Sequence, residues 1–490
     1  MTRAEDTSEL DRLKAGDTPA KVWWHRELAR RPRLQGSVLL EVTMTSLPES
    51  PTSAAGIQRL PRTLASDVAS YADRPGQPLR LSGWVHRRRR LSGLTFLVLR
   101  DRSGTAQVVV KDEVTLAQIE ELPEETTIDV VGLASVNAQA PGGIEVVEPT
   151  IVALGAPSDT PPIELWRPKI TAGLPTMLDH AQVTWRHPRQ QASWRLAAAS
   201  LHGFRHTLDH DGFTEVHSPK LVESATESGA NVFTVDYFGR PAYLAQSPQF
   251  YKQVLVGVFE RVYEVGPVFR AEPHDTVRHL AEYVSLDVEL GFICDHYEVI
   301  GVLRDVIAGM VASIRARATS AVELLDVRVP VVPDEFPIVH FRDALEIARA
   351  PADEPDLSPA HERAIGAWAI EEHRSDFVVV EGYPTAHRAF YTHPDPADPH
   401  WSRSFDLIFR GIELVSGAQR LHRYDDYVQT LRRRGYPLEP YAGYVDAFKH
   451  GIPPHGGFAI GLERWTGRLL EAENIRQVTL FPRDLHRIAP

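Results

Sequence analysis

Two stretches in the second half of the chain decide its fold: FRAEPHDTVRHL at residues 269–280 and GIPPHGGFAIGLER at residues 451–464. They place Arg270 and Arg464 among acids, glycines and strand-forming residues. An arginine fork grips phosphate oxygens through paired hydrogen bonds, and glycines let the backbone approach a flat nucleotide closely. The pair of stretches therefore predicts a nucleotide site with Arg270 and Arg464 on the phosphates. For either stretch alone, a surface ion pair would be the simpler interpretation.

The residues around the first stretch predict a hairpin of two long strands from Arg261 to Phe292. Within YVSLDVELGFI, residues 283–293, apolar side chains alternate with Ser285, Asp287 and Glu289, so one face is apolar and the other carries acids. The chain has no GxxxxGK[ST] loop and no GxGxxG that follows a strand, which disfavours the parallel-sheet nucleotide folds. We expect an antiparallel sheet flanked by helices. The spacing after the second stretch predicts a helix with Arg464 in its first turn, where the helix N-terminus also favours phosphate.

Composition indicates a multi-domain enzyme of 490 residues with 43% hydrophobic content. The net charge of −12 provides no overall positive field, so an RNA partner would need a local basic surface, which HRRRR at residues 86–90 supplies. The one cysteine, Cys294, excludes an intramolecular disulfide framework and a cysteine-rich zinc site. We see no apolar run of about 18 residues and no export signal, so we expect a cytoplasmic protein without membrane contact.

Changes in pattern along the chain predict four segments. Residues 1–75 form an N-terminal extension that is partly linker, with a short helix predicted from Thr18 to Arg31, and Met44 is a candidate for the true start. Residues 76–152 contain short β-rich runs typical of a small barrel, and residues 153–190 form a proline-rich connection. Residues 191–490 carry the two decisive stretches. A helix is predicted from Trp194 to His210, followed by a strand in FTEVHSPKL.

These motifs, taken in order, resemble those of class II aminoacyl-tRNA synthetases. The stretches at 269–280 and 451–464 are similar to motifs 2 and 3, and the helix, strand and Pro219 before them are similar to motif 1, which in that family builds a homodimer interface. The run GWVHRRRRLSGLTFLVLRDRSGTAQVVV, residues 83–110, is similar to the OB-fold anticodon-binding domain of the aspartyl, asparaginyl and lysyl enzymes. The resemblance implies an α+β protein with an N-terminal OB-fold barrel, a class II catalytic domain and a homodimeric assembly.

Two further segments resemble the aspartyl branch of this family in its compact archaeal form. QSPQFYK at 246–252 and ELVSGAQR at 413–420 match its signatures, with Lys252 and Arg420 as the cations that hold the substrate side-chain carboxylate. Two cations in one small site would be costly without an anion, and asparagine offers none, so the asparaginyl enzyme is the alternative. The resemblance also implies that Gln249 assists, and that Glu227 binds the α-ammonium group of aspartate.

The resemblance implies ATP and Mg²⁺ as well. In the family pattern Arg270, Glu272, His279, Glu413 and Arg464 bind ATP, and Glu413 and Ser416 are ligands of Mg²⁺, a hard cation that prefers oxygen. Two positions depart from the pattern: Ala418 replaces a glycine, and Pro273 follows Glu272 where an acid is frequent. Neither change removes a charged catalytic group.

Recognition of tRNA is implied by four positions in the barrel. Phe96 and Gln107 match the residues that stack on and hydrogen-bond the middle anticodon base. His86 and Pro141 match residues of non-discriminating enzymes, which aspartylate both tRNA(Asp) and tRNA(Asn) and require a downstream amidotransferase. A synthetase-like paralogue with a regulatory role, or with a ligase role that does not need tRNA, is the remaining alternative.

Overall fold

The computed structural model describes residues 60–223, 232–273 and 276–489. The helix predicted from Thr18 to Arg31, the candidate start at Met44 and the predicted ligand Glu227 lie outside these ranges. The described residues from Pro61 onward belong to one compact unit. No helix within these ranges is long and apolar enough to cross a membrane.

A closed barrel of five strands forms the first part of this unit, as predicted for an OB-fold. Its strands pair in the order β2-β3-β4-β6-β5, and β5 closes back onto β2. The apolar side chains of β2 alternate into the barrel core, and its arginine run is part of the same strand. The elements are β1 (Arg62–Thr63), β2 (Pro78–Leu91), β3 (Leu94–Arg100), β4 (Thr105–Val110), α1 (Glu113–Glu120), β5 (Thr127–Val136) and β6 (Ile144–Ala153).

Two short helices, α2 (Leu174–Asp179) and α3 (Ala181–Thr184), lead to the long helix α4 (Pro188–His210). Helix α4 begins earlier than the predicted Trp194, because Pro188 is preorganised for the first helical position and the His187 side chain accepts a hydrogen bond from the Arg189 backbone. It ends before Gly212, whose φ of 77° suits glycine. The strand predicted in FTEVHSPKL is reduced to β7 (Thr214–Glu215).

An eight-stranded sheet forms the second part, in the order β13-β14-β15-β16-β17-β12-β11-β7. All its pairs are antiparallel except those at the two edges, β13–β14 and β11–β7. The antiparallel sheet flanked by helices is therefore confirmed, with a parallel pair at each edge. Its strands are β11 (Arg261–Phe269), β12 (Glu282–Gly291), β13 (Ile338–His340), β14 (Phe377–Glu381), β15 (Ser404–Phe409), β16 (Ile412–Gln419) and β17 (His455–Gly461), together with β7.

One face of this sheet packs against α4 and α6 (His296–Arg317) in the largest hydrophobic core, to which β12 contributes Leu286, Val288 and Leu290. The opposite face forms the cleft described below. The remaining elements are β8 (Leu221–Val222), β9 (Thr234–Tyr237), β10 (Arg240–Leu244), α5 (Gln249–Phe259), α7 (Thr319–Leu325), α8 (Phe341–Ala348), α9 (Pro359–His373), α10 (Tyr424–Arg433), α11 (Ala442–Val445) and α12 (Leu462–Leu469), with short 3₁₀ turns between several of them.

Candidate active site

The cleft contains two adjoining cavities of about 290 Å³ and about 610 Å³. The smaller one gathers the six side chains predicted to contact ATP and its metal: Arg270, Glu272, His279, Glu413, Ser416 and Arg464. The larger one gathers three residues predicted to hold the amino acid: Gln249, Lys252 and Arg420. Arg270, Glu413 and Ser416 line both cavities. The two half-sites are therefore continuous, which lets a nucleotide and a second small substrate meet.

Arg270 directly follows β11, where the hairpin opens into the loop between the strands. Its backbone N–H donates to the carbonyl of Ala281 at 2.9 Å, and its guanidinium lies 5.7 Å from the centre of the Tyr283 ring. A carboxylate oxygen of Glu272 lies 3.9 Å from Arg270 Nη1 and another lies 3.9 Å from His279 Nε2. The hairpin thus holds a cation, an acid and an imidazole on the same wall of the cavity.

Arg464 lies in the first turn of α12, as the spacing of apolar residues predicts. Leu462, Trp465 and Leu469 are buried beneath it and fix the helix against the core. The Arg464 guanidinium donates from Nη1 to the carbonyl of Glu413 at 2.9 Å and lies 3.5 Å from the Glu413 carboxylate. This contact ties the first turn of α12 to β16 and directs Arg464 to the cavity side of the sheet.

A β-bulge explains how Glu413 and Ser416 line the same cavity. Side chains alternate along a regular strand, so residues three apart would point to opposite faces. In β16, however, Val415 pairs with Leu407 and Glu413 pairs with Ile408, which leaves Leu414 as an extra residue. Partial burial inside the cleft, where 42% of the side chain is exposed, and the neighbouring Asp406 raise the pKa of Glu413 to about 7. The pair offers a carboxylate and a hydroxyl, the oxygen donors suited to a hard divalent cation.

The two cations of the larger cavity are already matched by acids of the protein. Lys252 Nζ lies 3.1 Å from Asp287 Oδ1 and 3.3 Å from Glu289 Oε2, and all three side chains are buried. Arg420 donates from Nε to Glu289 at 3.1 Å and from Nη2 to the carbonyl of Gly457 at 2.9 Å. Contrary to the prediction from the sequence, Lys252 and Arg420 therefore do not require an anionic ligand for charge balance, because the acids of β12 already face them.

A buried hydrogen-bond network under α5 was not predicted from the sequence. Gln249 donates to Gln253 at 2.9 Å, and Gln253 in turn donates to the Tyr427 hydroxyl at 3.0 Å and contacts His455 Nε2 at 2.9 Å. His455 Nδ1 lies 2.8 Å from the carbonyl of Pro453, so Nδ1 carries the proton and Nε2 accepts. Burial lowers the pKa of His455 to about 4. The network holds Gln249 and the start of α5 in place.

Two ion pairs on the cavity walls were also missed. Arg278 lies 3.5 Å from Glu362 beside the smaller cavity, and Arg388 lies 2.6 Å from Asp406 beside the larger one. Arg278 could have been inferred, because it belongs to the stretch at 269–280. Arg388 follows a short 3₁₀ turn, Thr385–His387, and no periodic pattern singles it out.

In the barrel, Phe96 and Gln107 lie on neighbouring strands and share a contact with Arg89. The Arg89 guanidinium lies 5.5 Å from the centre of the Phe96 ring and donates to Gln107 Oε1 at 2.9 Å. Gln107 also donates to Glu145 at 2.8 Å. Phe96 is half-buried and lies outside the barrel core, so part of its ring can contribute to a stacking surface.

His86 and Pro141 occupy different settings. His86 lies at a register shift in β2, and burial beside Arg100 and His187 lowers its pKa to about 4. Pro141 is exposed and starts a short turn between β5 and β6. His86 therefore faces the end of the barrel near the start of α4, whereas Pro141 lies on an open loop.

Comparisons with known proteins match this architecture. Residues 174–485 match the family described as tRNA synthetases class II (D, K and N), and residues 79–154 match the OB-fold nucleic acid binding domain. The chain is therefore a class II aminoacyl-tRNA synthetase of the D, K and N family, as its motifs predicted. Enzymes of this class use ATP and a divalent metal, and tRNA and an amino acid are their partners.

Individual relatives are similar to the chain over most of its length. The chain is 42% identical over 440 residues to the aspartate–tRNA(Asp/Asn) ligase of Deinococcus radiodurans, covering 88% of this chain and 99% of that one. It is 43% identical over 432 residues to the enzyme of the same name from Thermus thermophilus, covering 88% of this chain and all of that one. The crystal structure of the asparaginyl-tRNA synthetase of Pyrococcus horikoshii with asparaginyl-adenylate superimposes with a TM-score of 0.81 at 30% identity, covering 88% of this chain and 100% of that one.

Proposed function

We propose that this protein is an aspartate–tRNA ligase that activates aspartate with ATP and transfers it to tRNA. The observation that carries the proposal is the continuity of the two half-sites. Lys252 and Arg420 lie in one cavity and Arg464 in the other, with Arg270 on the boundary. The names of the relatives from Deinococcus radiodurans and Thermus thermophilus support aspartate as the amino acid.

Aspartate suits the larger cavity better than asparagine does. Asp287 and Glu289 neutralise Lys252 and Arg420, so the buried charges of the site compensate each other without a substrate. Arg420 lines the cavity, and its Nη1 donors take no part in the bonds to Glu289 and Gly457. A side-chain carboxylate could accept these donors and lie beside Lys252. An amide offers only its carbonyl oxygen to these donors and carries no negative charge to pair with the two cations.

In the first step, the α-carboxylate of aspartate attacks the α-phosphorus of ATP, an aspartyl-adenylate forms and pyrophosphate leaves. The protein need not bond covalently to either substrate, so positioning and charge neutralisation supply the catalysis. We assign Arg270 to the α-phosphoryl group and Arg464 to the γ-phosphate end. Glu272 and His279 share the wall with Arg270 and are assigned to ATP, and Glu227 and Gln249 are assigned to aspartate.

We assign Glu413 and Ser416 as ligands of Mg²⁺, which would neutralise charge on the triphosphate. The described residues contain no group of three or more His, Cys, Asp or Glu side chains arranged for a metal. Mg²⁺ keeps several waters and binds through one or two carboxylates and substrate phosphates. The carboxylate and hydroxyl brought together by the bulge in β16 form such a partial ligand set.

In the second step, the terminal ribose hydroxyl of tRNA attacks the acyl-adenylate carbonyl, the ester forms and AMP leaves. We assign Phe96 and Gln107 to the middle anticodon base, since an aromatic ring and an amide on neighbouring strands suit a splayed-out base. We assign His86 and Pro141 to tolerance at the third base, so that both tRNA(Asp) and tRNA(Asn) are aspartylated. A tRNA-dependent amidotransferase would then act on Asp-tRNA(Asn).

The proposal includes a homodimer built on α4 and β7, a cytoplasmic location, and the division into segments 1–75, 76–152, 153–190 and 191–490. The helix and strand of motif 1 support the dimer, because β7 lies at an edge of the large sheet. Light scattering of the purified protein tests it. A mass of about 110 kDa, twice the 54.8 kDa of one chain, is expected, and a monomeric mass would reject it.

ATP–pyrophosphate exchange with single amino acids tests the choice of substrate. Exchange should depend on aspartate and be insensitive to asparagine. Asparagine-dependent exchange would establish the asparaginyl alternative. Aspartate-dependent exchange without transfer to any tRNA would establish the ligase-like paralogue.

A further inference from the structure

A buried ionic cluster joins the barrel to the start of α4. Arg100, the last residue of β3, donates from Nη2 to both carboxylate oxygens of Glu125, at 2.8 and 2.7 Å. Arg186, two residues before α4, donates to the same carboxylate at 3.2 Å. Arg100 also donates from Nη1 to the backbone carbonyl of Arg186. The cluster therefore bonds β3 and the loop before β5 to the segment that leads into α4.

Two of the three charges in this cluster are withdrawn from water. The side chains of Arg100 and Glu125 are 5% and 3% exposed, whereas that of Arg186 is 45% exposed. Removing one partner from such a pair leaves the other buried without compensation. The Arg100 guanidinium is held at two atoms, because Nη2 donates to both oxygens of Glu125 while Nη1 donates to the backbone carbonyl of Arg186. The cluster can therefore set an angle as well as a distance.

The backbone of Glu125 supports the same conclusion. Its φ is 68°, a conformation disfavoured for residues with a Cβ atom. Hydrogen bonds between its neighbours and β2 hold it there: Glu125 N donates to Val85 O at 2.7 Å, and Val85 N donates to Thr126 O at 2.9 Å. Strained backbone conformations of this kind persist only where the surrounding structure holds them in place. In this backbone conformation the Glu125 carboxylate accepts hydrogen bonds from both Arg100 and Arg186.

Helix α4, which begins beside the cluster, connects it to the active site. Arg195, in α4, donates to the backbone carbonyl of Arg102 in the barrel, so the helix is attached to the barrel at a second point. Farther along α4, Ser200 accepts a hydrogen bond at 2.8 Å from Trp465, the residue next to Arg464. One continuous helix thus contacts the barrel near its beginning and the helix that carries Arg464 at its middle.

We propose that Glu125, with Arg100 and Arg186, is a positioning residue that fixes the anticodon-binding barrel relative to the catalytic cleft, so that a tRNA held by its anticodon presents its 3′ end at the adenylate. The inference rests on the proposed aminoacylation. It predicts that Glu125 serves the transfer step and not aspartate activation, because aspartate and ATP bind wholly within the cleft. A small change of barrel angle would displace the distant 3′ end, and a misplacement of about 1 Å costs roughly 10²-fold in rate.

The test compares Glu125→Gln with Asp129→Asn, a matched control. Asp129 is a buried carboxylate of the same barrel, 2.6 Å from Arg80, but both partners belong to barrel strands. For Glu125→Gln we expect aspartate-dependent ATP–pyrophosphate exchange within about twofold of the parent and a roughly 10²-fold loss of kcat/KM for a tRNA(Asp) transcript. Asp129→Asn should leave both within a fewfold. Arg186→Ala, at the more exposed partner, should reproduce the loss of transfer if Glu125→Gln does not fold.

A second measurement separates positioning from simple destabilisation. A tRNA(Asp) transcript with a replaced middle anticodon base should be charged poorly by the parent, and the penalty should shrink by about tenfold or more in Glu125→Gln, because residues that act together are non-additive. An unchanged anticodon penalty, equal losses in Glu125→Gln and Asp129→Asn, or a matching loss of exchange would overturn the proposal. Failure of the parent to charge any tRNA would instead reject the proposed function.

Discussion

Replacing Lys252 by methionine separates its two possible roles, a ligand for aspartate and a structural counter-ion. Lys252 is 2% exposed and lies between Asp287 and Glu289, which are 2% and 0% exposed. Methionine keeps much of the length and removes the charge. The two acids of β12 would then remain buried, with only Arg420 compensating Glu289.

Each of the two roles predicts an effect of known approximate size. Breaking a buried pair by removing one partner costs about 3–5 kcal/mol, so the urea midpoint of Lys252→Met should fall clearly. For catalysis, a substrate carboxylate about 4 Å from Lys252 would lose roughly 4 kcal/mol of attraction at an effective dielectric constant of about 20, or nearly 10³-fold in kcat/KM for aspartate. The KM for ATP should change much less, since Lys252 lies outside the smaller cavity.

The double variant Lys252→Met with Asp287→Asn decides between the roles. Asp287 has Lys252 and Ser285 as its side-chain partners, so neutralising it should restore most of the lost stability. Aspartate-dependent exchange should stay low, because no cation returns to the site. Recovery of exchange together with stability would refute the assignment of Lys252 to the substrate and leave it as a counter-ion of the sheet.

Three other predictions test separate parts of the site. Arg270→Ala should lower ATP–pyrophosphate exchange roughly 10²-fold through lost stabilisation of the phosphoryl group, and unchanged exchange would reject that role. Phe96→Ala should reduce kcat/KM for tRNA by about tenfold or more, at about 1–3 kcal/mol per stacked base, and leave exchange unchanged; equal loss of both would point to a damaged barrel. The pKa of His455 falls from 6.5 unfolded to about 4 folded, so stability should decrease as pH falls through this window, by roughly 3 kcal/mol. Urea unfolding of His455→Asn should show a weaker dependence on pH there, and an identical dependence would contradict the shift.

The sequence was sufficient for features that depend on local periodicity. Alternation in β12, the position of Arg464 in the first turn of α12 and the five barrel strands all follow from patterns a few residues long, and the structure confirms them. Their reliability has a physical cause, since a period-two or helical pattern determines which face a segment buries before any long-range contact forms.

Contacts between residues that are distant in the sequence could not be predicted from such local patterns. The acids that neutralise Lys252 lie on β12, and the sequence shows them only as the polar face of a strand. The bulge at Leu414 depends on the pairing of β16 with β15, and the cluster of Arg100 with Glu125 joins segments that nothing in the sequence connects. Such contacts depend on register and packing between elements, and local sequence patterns do not predict either of them.

Charging of purified tRNA(Asp) and tRNA(Asn) transcripts with labelled aspartate, and in parallel with labelled asparagine, tests the central claim most directly. We predict that aspartate is attached to both transcripts with kcat/KM values within about tenfold of each other, and that asparagine is attached to neither. Attachment of asparagine would contradict the assignment of Lys252 and Arg420. A tRNA(Asn) charged with aspartate about 10³-fold less efficiently, a gap of roughly 4 kcal/mol in transition-state stabilisation, would contradict the interpretation of His86 and Pro141.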